Sequence, residues 1–108
     1  MELDESLNLM ANENVRNISY ILRETDEDQI SNQKLTEEML ERGAIEEENI
    51  GNFEISMHHN YLPRLEEAGL IDYNNKESTV EYNGAPDQME ELLDAVKKLE
   101  ESYEEENF

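Results

Sequence analysis

The spacing of apolar residues constrains the fold of this chain more than any other feature. In several stretches they recur three or four positions apart, and Gly, Pro or polar turn residues separate these stretches. Such spacing is typical of amphipathic helices. The first stretch, residues 7–22, predicts a helix that is broken near Asn12. The second predicts a helix that is capped by Ser31 or Asn32 and ends at Gly43.

A third helix is predicted after a polar connection, residues 43–51, which is longer than a tight helix-turn-helix bend. The stripe that predicts this helix consists of Ile55, His58, Leu62 and Leu65. Gly69 marks its end. Because Pro63 lacks the N–H that would bond the carbonyl of His59, we expect a kink there. On this pattern His58 is a hydrogen-bonded histidine of the core.

A β-hairpin and a last helix complete the pattern. Residues 70–73 and 79–82 are short β-favouring runs around a five-residue turn, 74–78. Pro86 suits the start of the last helix. Its apolar residues repeat at heptad spacing, and they are Met89, Leu92, Val96, Leu99 and Tyr103. A seam of about two heptads is too short to hold a coiled coil alone, so we expect it to pack on the domain or on the same helix of a second copy. The acidic tail, residues 104–108, is expected to fray.

The charge of the chain limits its partners and its setting. The 108 residues include 29 Asp and Glu but only 8 Lys and Arg, a net charge of −21. In dilute buffer these charges repel one another, and molar salt screens the repulsion. The composition resembles that of proteins from salt-in halophilic archaea. A chain of 108 residues is long enough for one hydrophobic core, which predicts a single domain. The absence of Cys suits a reducing cytoplasm. The N-terminus is acidic and no apolar run is long enough to span a membrane, so we expect a cytoplasmic protein.

The order of the predicted elements, three helices followed by a hairpin and a helix, is that of a winged helix-turn-helix domain. The run His59-Asn60-Tyr61-Leu62-Pro63-Arg64-Leu65-Glu66-Glu67-Ala68-Gly69 carries the pattern His-x-x-Leu-Pro-x-Leu-x-x-Ala-Gly. With its neighbours, in residues 58–73, it resembles the end of the third helix and the first wing strand of ArsR-like regulators. It is most similar to a small haloarchaeal winged-helix group. Residues 12–18 resemble the opening of that group's core helix.

The resemblance covers roughly residues 5–83, and it implies both a fold class and a division of the chain. The expected fold is α+β and mostly α, a winged helix-turn-helix with a two-stranded wing and a C-terminal heptad-patterned helix. The winged domain then occupies residues 1–83. Residues 84–108 hold the last helix, through which the chain is expected to dimerise, and the acidic tail.

Catalytic and metal chemistry are poorly supported by the residues. His58 and His59 are the only histidines, and helix neighbours point about 100° apart, so they do not readily chelate one ion together. There is no Ser-His-Asp spacing, phosphate-binding Gly loop or HExxH pair. We therefore expect no catalytic residues, no metal and no cofactor.

A DNA-binding surface is indicated by the distribution of acidic residues. Residues 49–64 contain one acid, Glu54, and one base, Arg64, within a strongly acidic chain. In a recognition helix the polar side chains of this segment would face the major groove, and the hairpin turn would touch phosphate. The predicted DNA-binding residues are Asn52, Ser56, His59, Asn60, Arg64, Asn74, Asn75 and Lys76.

Two functions follow from this pattern. The first is a halophilic archaeal transcription regulator, a winged-helix homodimer that binds double-stranded DNA with residues 52–64 and 74–76. The alternative is a winged-helix module that uses residues 49–64 to bind another protein and does not bind DNA. The shortage of Lys and Arg favours the alternative, because phosphate contacts normally come from these residues.

Overall fold

The structure, a computed structural model, describes residues 3–106 of the chain. It is an α+β fold that is mostly helical and has one small antiparallel sheet. The helices are α1 (Leu3–Met10), α2 (Glu13–Glu24), α3 (Asn32–Glu41), α4 (Ile50–Ser56), α5 (Leu62–Glu67) and α6 (Asp87–Glu106). The strands are β1 (Ile30–Ser31), β2 (Ile71–Asn74) and β3 (Thr79–Tyr82). Met57–Tyr61 forms a π-helical turn between α4 and α5. These elements make one continuous helix, called here the α4–α5 helix.

Side-chain caps set the starts of α2 and α3, which agrees with the predicted break near Asn12 and the predicted cap at Ser31. The side chain of Asn12 accepts a hydrogen bond from the N–H of Val15 at 3.1 Å, which divides α1 from α2. Ser31 caps α3 in the same way, since its hydroxyl oxygen accepts from the N–H of Lys34 at 3.0 Å. After α3, Gly43 adopts a φ of +71°, a conformation that only glycine reaches easily. These local signals are confirmed.

The sheet has three strands, whereas the sequence predicts two. The predicted hairpin is present as β2 and β3, and the strand order is β1-β3-β2. The extra strand pairs Ile30 with Val80, and both side chains are buried in the core. Next to this pair, the N–H of Asn32 donates to the carbonyl of Ser78 at 2.9 Å. A strand of two residues shows no alternation, so pairing with β3 rather than sequence pattern defines it.

The predicted apolar stripe of the third helix is wrong in its first half. Ile55 is 62% exposed, and His58 is exposed as well, so His58 is not a core residue. The residues that the helix buries are Phe53, Met57, Leu62 and Leu65. The π turn explains the difference, because the N–H of Leu62 bonds the carbonyl of Met57, five residues earlier, and so adds one residue to that turn.

The same helix also starts earlier than the sequence predicts. A 3₁₀ turn at Glu47–Asn49 leads directly into α4 at Ile50, so helical structure begins inside the predicted 43–51 connection. Pro63 lies in the first turn of α5, just after the π turn. The helix continues through Pro63 although this residue has no N–H to donate. In place of the predicted kink, the structure has the π turn.

The last helix packs on the domain with only part of its predicted seam. Met89 and Leu93 are fully buried, whereas Leu99 and Tyr103 are each 69% exposed. Met89 is therefore a core residue of its own chain and is unavailable for dimerisation, which corrects the prediction. Leu93, one position from the predicted Leu92, is the other fully buried residue of this helix, and Leu92 is half-buried against the core. The heptad spacing did not separate the face toward the domain from the face toward solvent.

Ion pairs join the outer turns of α6 to α2. Arg16 contacts Glu100 at 2.8 Å, and Arg23 contacts Asp94 at 2.8 Å. In addition Glu24 accepts hydrogen bonds from Lys97 and from Arg42 of the α3 end, at 2.8 and 2.7 Å. These two hydrogen bonds hold the pKa of Glu24 below its ordinary value of 4.5.

The ends of the chain are only partly described. The backbone of α6 is helical as far as Glu106, so the predicted fraying does not begin at residue 104. Residues 107 and 108 of the acidic tail, and residues 1 and 2 of the acidic N-terminus, lie outside the described residues. Over residues 3–106, none of the helices is both long enough and apolar enough to cross a membrane.

Candidate nucleic-acid interface

The α4–α5 helix presents a solvent-facing surface that is poor in acidic residues. We call this surface the acid-poor face, and it consists of the exposed residues Gly51, Asn52, Glu54, Ile55, His58, His59, Asn60 and Pro63. Ser56, which the sequence also assigned to DNA, is half-buried at its edge. Glu54 is the one acid on this face. Two amides and two imidazoles supply both hydrogen-bond donors and acceptors to it.

The basic residues of the chain are mostly engaged elsewhere. Within residues 3–106, five of them form ion pairs with acids of the same chain, and these are Arg16, Arg23, Lys34, Arg42 and Lys97. The three that form no ion pair in that range are Arg64, Lys76 and Lys98. The acid-poor face is thus distinguished by missing negative charge rather than by added positive charge.

Arg64, which the sequence grouped with the polar residues of the third helix, contacts α1. Its guanidinium donates to the carbonyl of Asn8 at 3.4 Å, against the end of α1. It lines a shallow cleft there together with Glu5 and Glu67. The half-buried Arg64 therefore bridges α5 and α1.

The hairpin turn uses one of its predicted contact residues for its own structure. The side-chain oxygen of Asn74 accepts from the N–H groups of Lys76 and Glu77, both at 3.1 Å. This is the local turn chemistry that Asn commonly supplies. The side chains of Asn75 and Lys76 are exposed at the tip. Asn75 and Lys76 are therefore the two predicted turn residues whose side chains are available to a partner.

Tyr73 connects the hairpin to the acid-poor face. Its hydroxyl oxygen accepts from the side-chain amide of Asn32 at 2.9 Å and lies 2.7 Å from Nδ1 of His58. The rings of Tyr73 and His58 meet edge to face, with centroids 5.8 Å apart. We call these three residues the Tyr73 clasp. They join α3, the π turn and β2 at one point, so the hairpin is held beside the α4–α5 helix.

The clasp borders a cleft of about 510 Å³. The residues that line it are Asn32, Gln33, Glu54, Met57, His58 and Ser78. The side-chain oxygen of Asn32 is buried and accepts no hydrogen bond from the residues that the structure describes. Sequence reasoning missed Asn32 and Tyr73, because neither lies in the acid-poor segment. A tyrosine on a short strand next to a polar turn is a weak signal, and the contact depends on tertiary packing.

The two adjacent histidines do not assemble a metal site with other residues. Their ring centroids are 4.8 Å apart in an edge-to-face arrangement. Across the part of the chain that the structure describes, no three His, Asp or Glu side chains are grouped so as to hold a metal ion. Both imidazoles can donate and accept hydrogen bonds at the acid-poor face.

Comparison with known families gives one match, over residues 7–81, to a domain of unknown function, DUF7344. The chain belongs to the DUF7344 family. The match runs from α1 to β3, so the DUF7344 domain contains the acid-poor face and the hairpin, whereas α6 follows it. Neither the curated proteins nor the solved structures include one that matches this chain.

Proposed function

We propose that this DUF7344 protein is a winged helix-turn-helix transcription regulator that binds double-stranded DNA and has no catalytic activity. In this proposal α3 and the α4–α5 helix form the helix-turn-helix, β2 and β3 form the wing, and β1 extends the sheet. The element order and the resemblance of residues 58–73 to ArsR-like haloarchaeal regulators support this assignment. The winged domain occupies residues 1–83, and α6 lies in residues 84–108.

The observation that carries the proposal is the acid-poor face on an exposed helix. A helix that enters the major groove must bring polar side chains to base edges without bringing carboxylates to phosphates. Asn52, His59 and Asn60 are exposed on this helix, and Glu54 is the one acid of the acid-poor face. The Tyr73 clasp places the hairpin beside it, and the exposed Lys76 at the tip is available to phosphate.

The net charge of −21 requires that such binding take place in concentrated salt. Ordinary proteins gain affinity by releasing cations when Lys and Arg neutralise phosphates. Here few bases are available, and we propose that cations are instead retained or taken up between acidic protein and DNA. This mechanism fits a cytoplasmic protein of a salt-in halophilic archaeon, which the composition resembles.

We further propose that the regulator is a homodimer that reads a two-fold operator. The residues that remain for this contact after the core has taken Met89 are Leu92, Val96, Leu99 and Tyr103. The exposure of the last two supports a contact with a second copy, since large apolar side chains on a surface commonly mark interaction sites. Dimers with two-fold symmetry bind two half-sites on one side of the duplex.

The proposal is tested by sequencing DNA that the purified protein retains. Fragmented DNA from a salt-in haloarchaeon is incubated with the protein at about 2 M KCl, a concentration that screens its self-repulsion. We expect enrichment of a short two-fold motif that is lost in the His59→Ala, Asn60→Ala double variant. The matched control, Asn83→Ala with Gln88→Ala, changes two exposed amides outside the acid-poor face and should keep the enrichment. Absence of any motif across a salt series contradicts DNA binding.

One observation favours a second function, a protein-binding module. Five of the eight bases are occupied in ion pairs within residues 3–106, which leaves few to contact phosphate. Under this alternative the face binds a protein partner, and winged helices are known to differ in function despite a shared fold. The two functions are separated by the double variant, which should then leave DNA retention unchanged and release a co-purifying protein.

A further inference from the structure

We infer that Ile55 contacts thymine methyl groups in the major groove, so that the protein distinguishes thymine from uracil. This inference rests on the proposed DNA-binding function and specifies what the acid-poor face recognises. Ile55 is 62% exposed. In the part of the chain that the structure describes, the other exposed large apolar residues are Leu7 in α1 and Leu99 and Tyr103 in α6. Ile55 is thus the one on the acid-poor face.

The position of Ile55 results from the register of the helix. Phe53 and Met57 are buried on either side of it in sequence, so Ile55 faces the opposite direction and adds nothing to the core. The aliphatic side chain of Ile55 therefore lies in solvent on the acid-poor face, where it is available for an external contact.

The neighbours of Ile55 indicate how small that contact is. Asn52 lies three residues before it and His59 four residues after it, so both are adjacent to it on the helix surface. Apolar sites for protein partners are contiguous areas of several hundred Å². A single isoleucine between an amide and an imidazole does not form such an area, and it matches a target of one methyl group beside hydrogen-bonding groups.

The major groove offers a target of this kind. The C5-methyl of thymine is its apolar group, and it lies next to the donors and acceptors of the base edges. Asn is suited to adenine in a bidentate pair, so Asn52 or Asn60 beside Ile55 fits an A·T pair and its neighbour. The low number of acids around Ile55 allows the helix to approach phosphates. Together with the apolar side chain beside hydrogen-bonding groups, this favours a thymine methyl as the group that Ile55 contacts.

The test compares two versions of one DNA library. Fragmented DNA from a salt-in haloarchaeon is amplified with either dTTP or dUTP. Uracil in the second library lacks the C5-methyl group of thymine and keeps its base-pairing groups. Retention by the full-length protein is then measured at about 2 M KCl. We expect the wild type to prefer the thymine library by about fourfold for each methyl contact, the ratio that corresponds to ~0.8 kcal/mol for one buried methylene-sized group. The Ile55→Ala variant should retain both libraries equally.

Controls separate this inference from the proposed function. Leu7→Ala shortens another exposed apolar side chain, outside the acid-poor face, and should keep the preference for thymine. If the wild type retains a specific motif equally from both libraries, or if Ile55→Ala keeps the full preference, the inference is wrong and the DNA-binding function stands. If the wild type retains a specific motif from neither library, the inference and the function both fail. Because Ile55 contributes little to the core, its Ala variant should unfold at the wild-type temperature, which excludes misfolding as the cause.

Discussion

Nδ1 of His58 lies 2.7 Å from the hydroxyl oxygen of Tyr73, which joins the π turn of the α4–α5 helix to the second strand of the sheet. The same hydroxyl accepts a hydrogen bond from Asn32 at the start of α3. Which of the two groups donates in the contact with Nδ1 depends on the tautomer of His58. The hydroxyl group of Tyr73 thus adds a second link between the hairpin and the α4–α5 helix, since the N–H of Tyr73 also donates to Oε2 of Glu66 at 2.9 Å.

Replacement of Tyr73 by Phe should weaken this connection without creating a cavity. The amide of Asn32 and Nδ1 of His58 both lose their partner, and we expect a loss of about 1 kcal/mol in the free energy of unfolding. Amide hydrogen exchange of β2 and β3 should become faster. Chemical denaturation and exchange mass spectrometry measure these effects. Ser102→Ala, which removes an exposed hydroxyl from α6, is the control and should change neither.

The contacts of Glu24 predict an acid-dependent loss of stability. Hydrogen bonds from Lys97 and then from Arg42 lower the pKa of Glu24 below 4.5, so the folded state binds this proton less readily than the unfolded state does. The resulting stabilisation is fully present above pH 4.5 and is lost as the pH falls through the folded-state pKa. The difference in unfolding free energy between wild type and Glu24→Gln should therefore disappear on acidification.

Urea unfolding of both proteins over a series of pH values measures this difference. Glu91→Gln removes an exposed carboxylate from α6 and serves as the control for the change in net charge. A difference between wild type and Glu24→Gln that stays constant from neutral to strongly acidic pH would show that the contacts with Lys97 and Arg42 do not stabilise the fold.

The exposed end of α6 predicts how the proposed dimer can be separated without unfolding the protomer. Leu99 and Tyr103 are largely exposed, so Leu99→Ser with Tyr103→Ser should leave the core intact and convert the dimer to a monomer. Light scattering at about 2 M KCl measures the mass under screened conditions. The control Glu101→Ser should remain dimeric. A wild-type protein of monomeric mass, or a double variant of dimeric mass, would refute dimerisation through this surface.

The shortage of free bases predicts an unusual salt dependence of DNA binding. If cations are taken up between protein and phosphate, affinity for an enriched duplex should rise between about 0.5 and 2 M KCl instead of falling. Fluorescence anisotropy of a labelled duplex measures the slope of log K against log salt concentration. A steady loss of affinity over this range would count against cation uptake as the mechanism.

The fold could be predicted from the sequence where local interactions decide the structure. Asn12, Ser31 and Gly43 act through their own backbone neighbourhoods, and the hairpin follows from two short runs around a polar turn. The strand at Ile30 could not be predicted in this way, because it exists through its pairing with Val80. Tertiary contacts likewise decide that α6 buries Leu93, although Leu92 fits the heptad better.

The candidate site was predictable as a segment but not as a surface. The scarcity of acids in residues 49–64 is visible in the sequence, and the exposed side chains of the α4–α5 helix lie there. The π turn adds a residue to the helix, so the regular spacing assigned Ile55 and His58 to the core although both are exposed. Arg64 was grouped with His59 by spacing, whereas its contact with Asn8 depends on the position of α1.

The central claim is that the acid-poor face and the hairpin turn bind DNA. It is tested most directly by following the backbone amide NMR signals of the 12.7 kDa protein during titration with an enriched duplex at about 2 M KCl. The account predicts that the largest shifts fall in residues 50–63 and 74–78, and that the α2-facing residues of α6 change little. Shifts confined to other surfaces, or no shifts with a duplex that the protein retains, would contradict it.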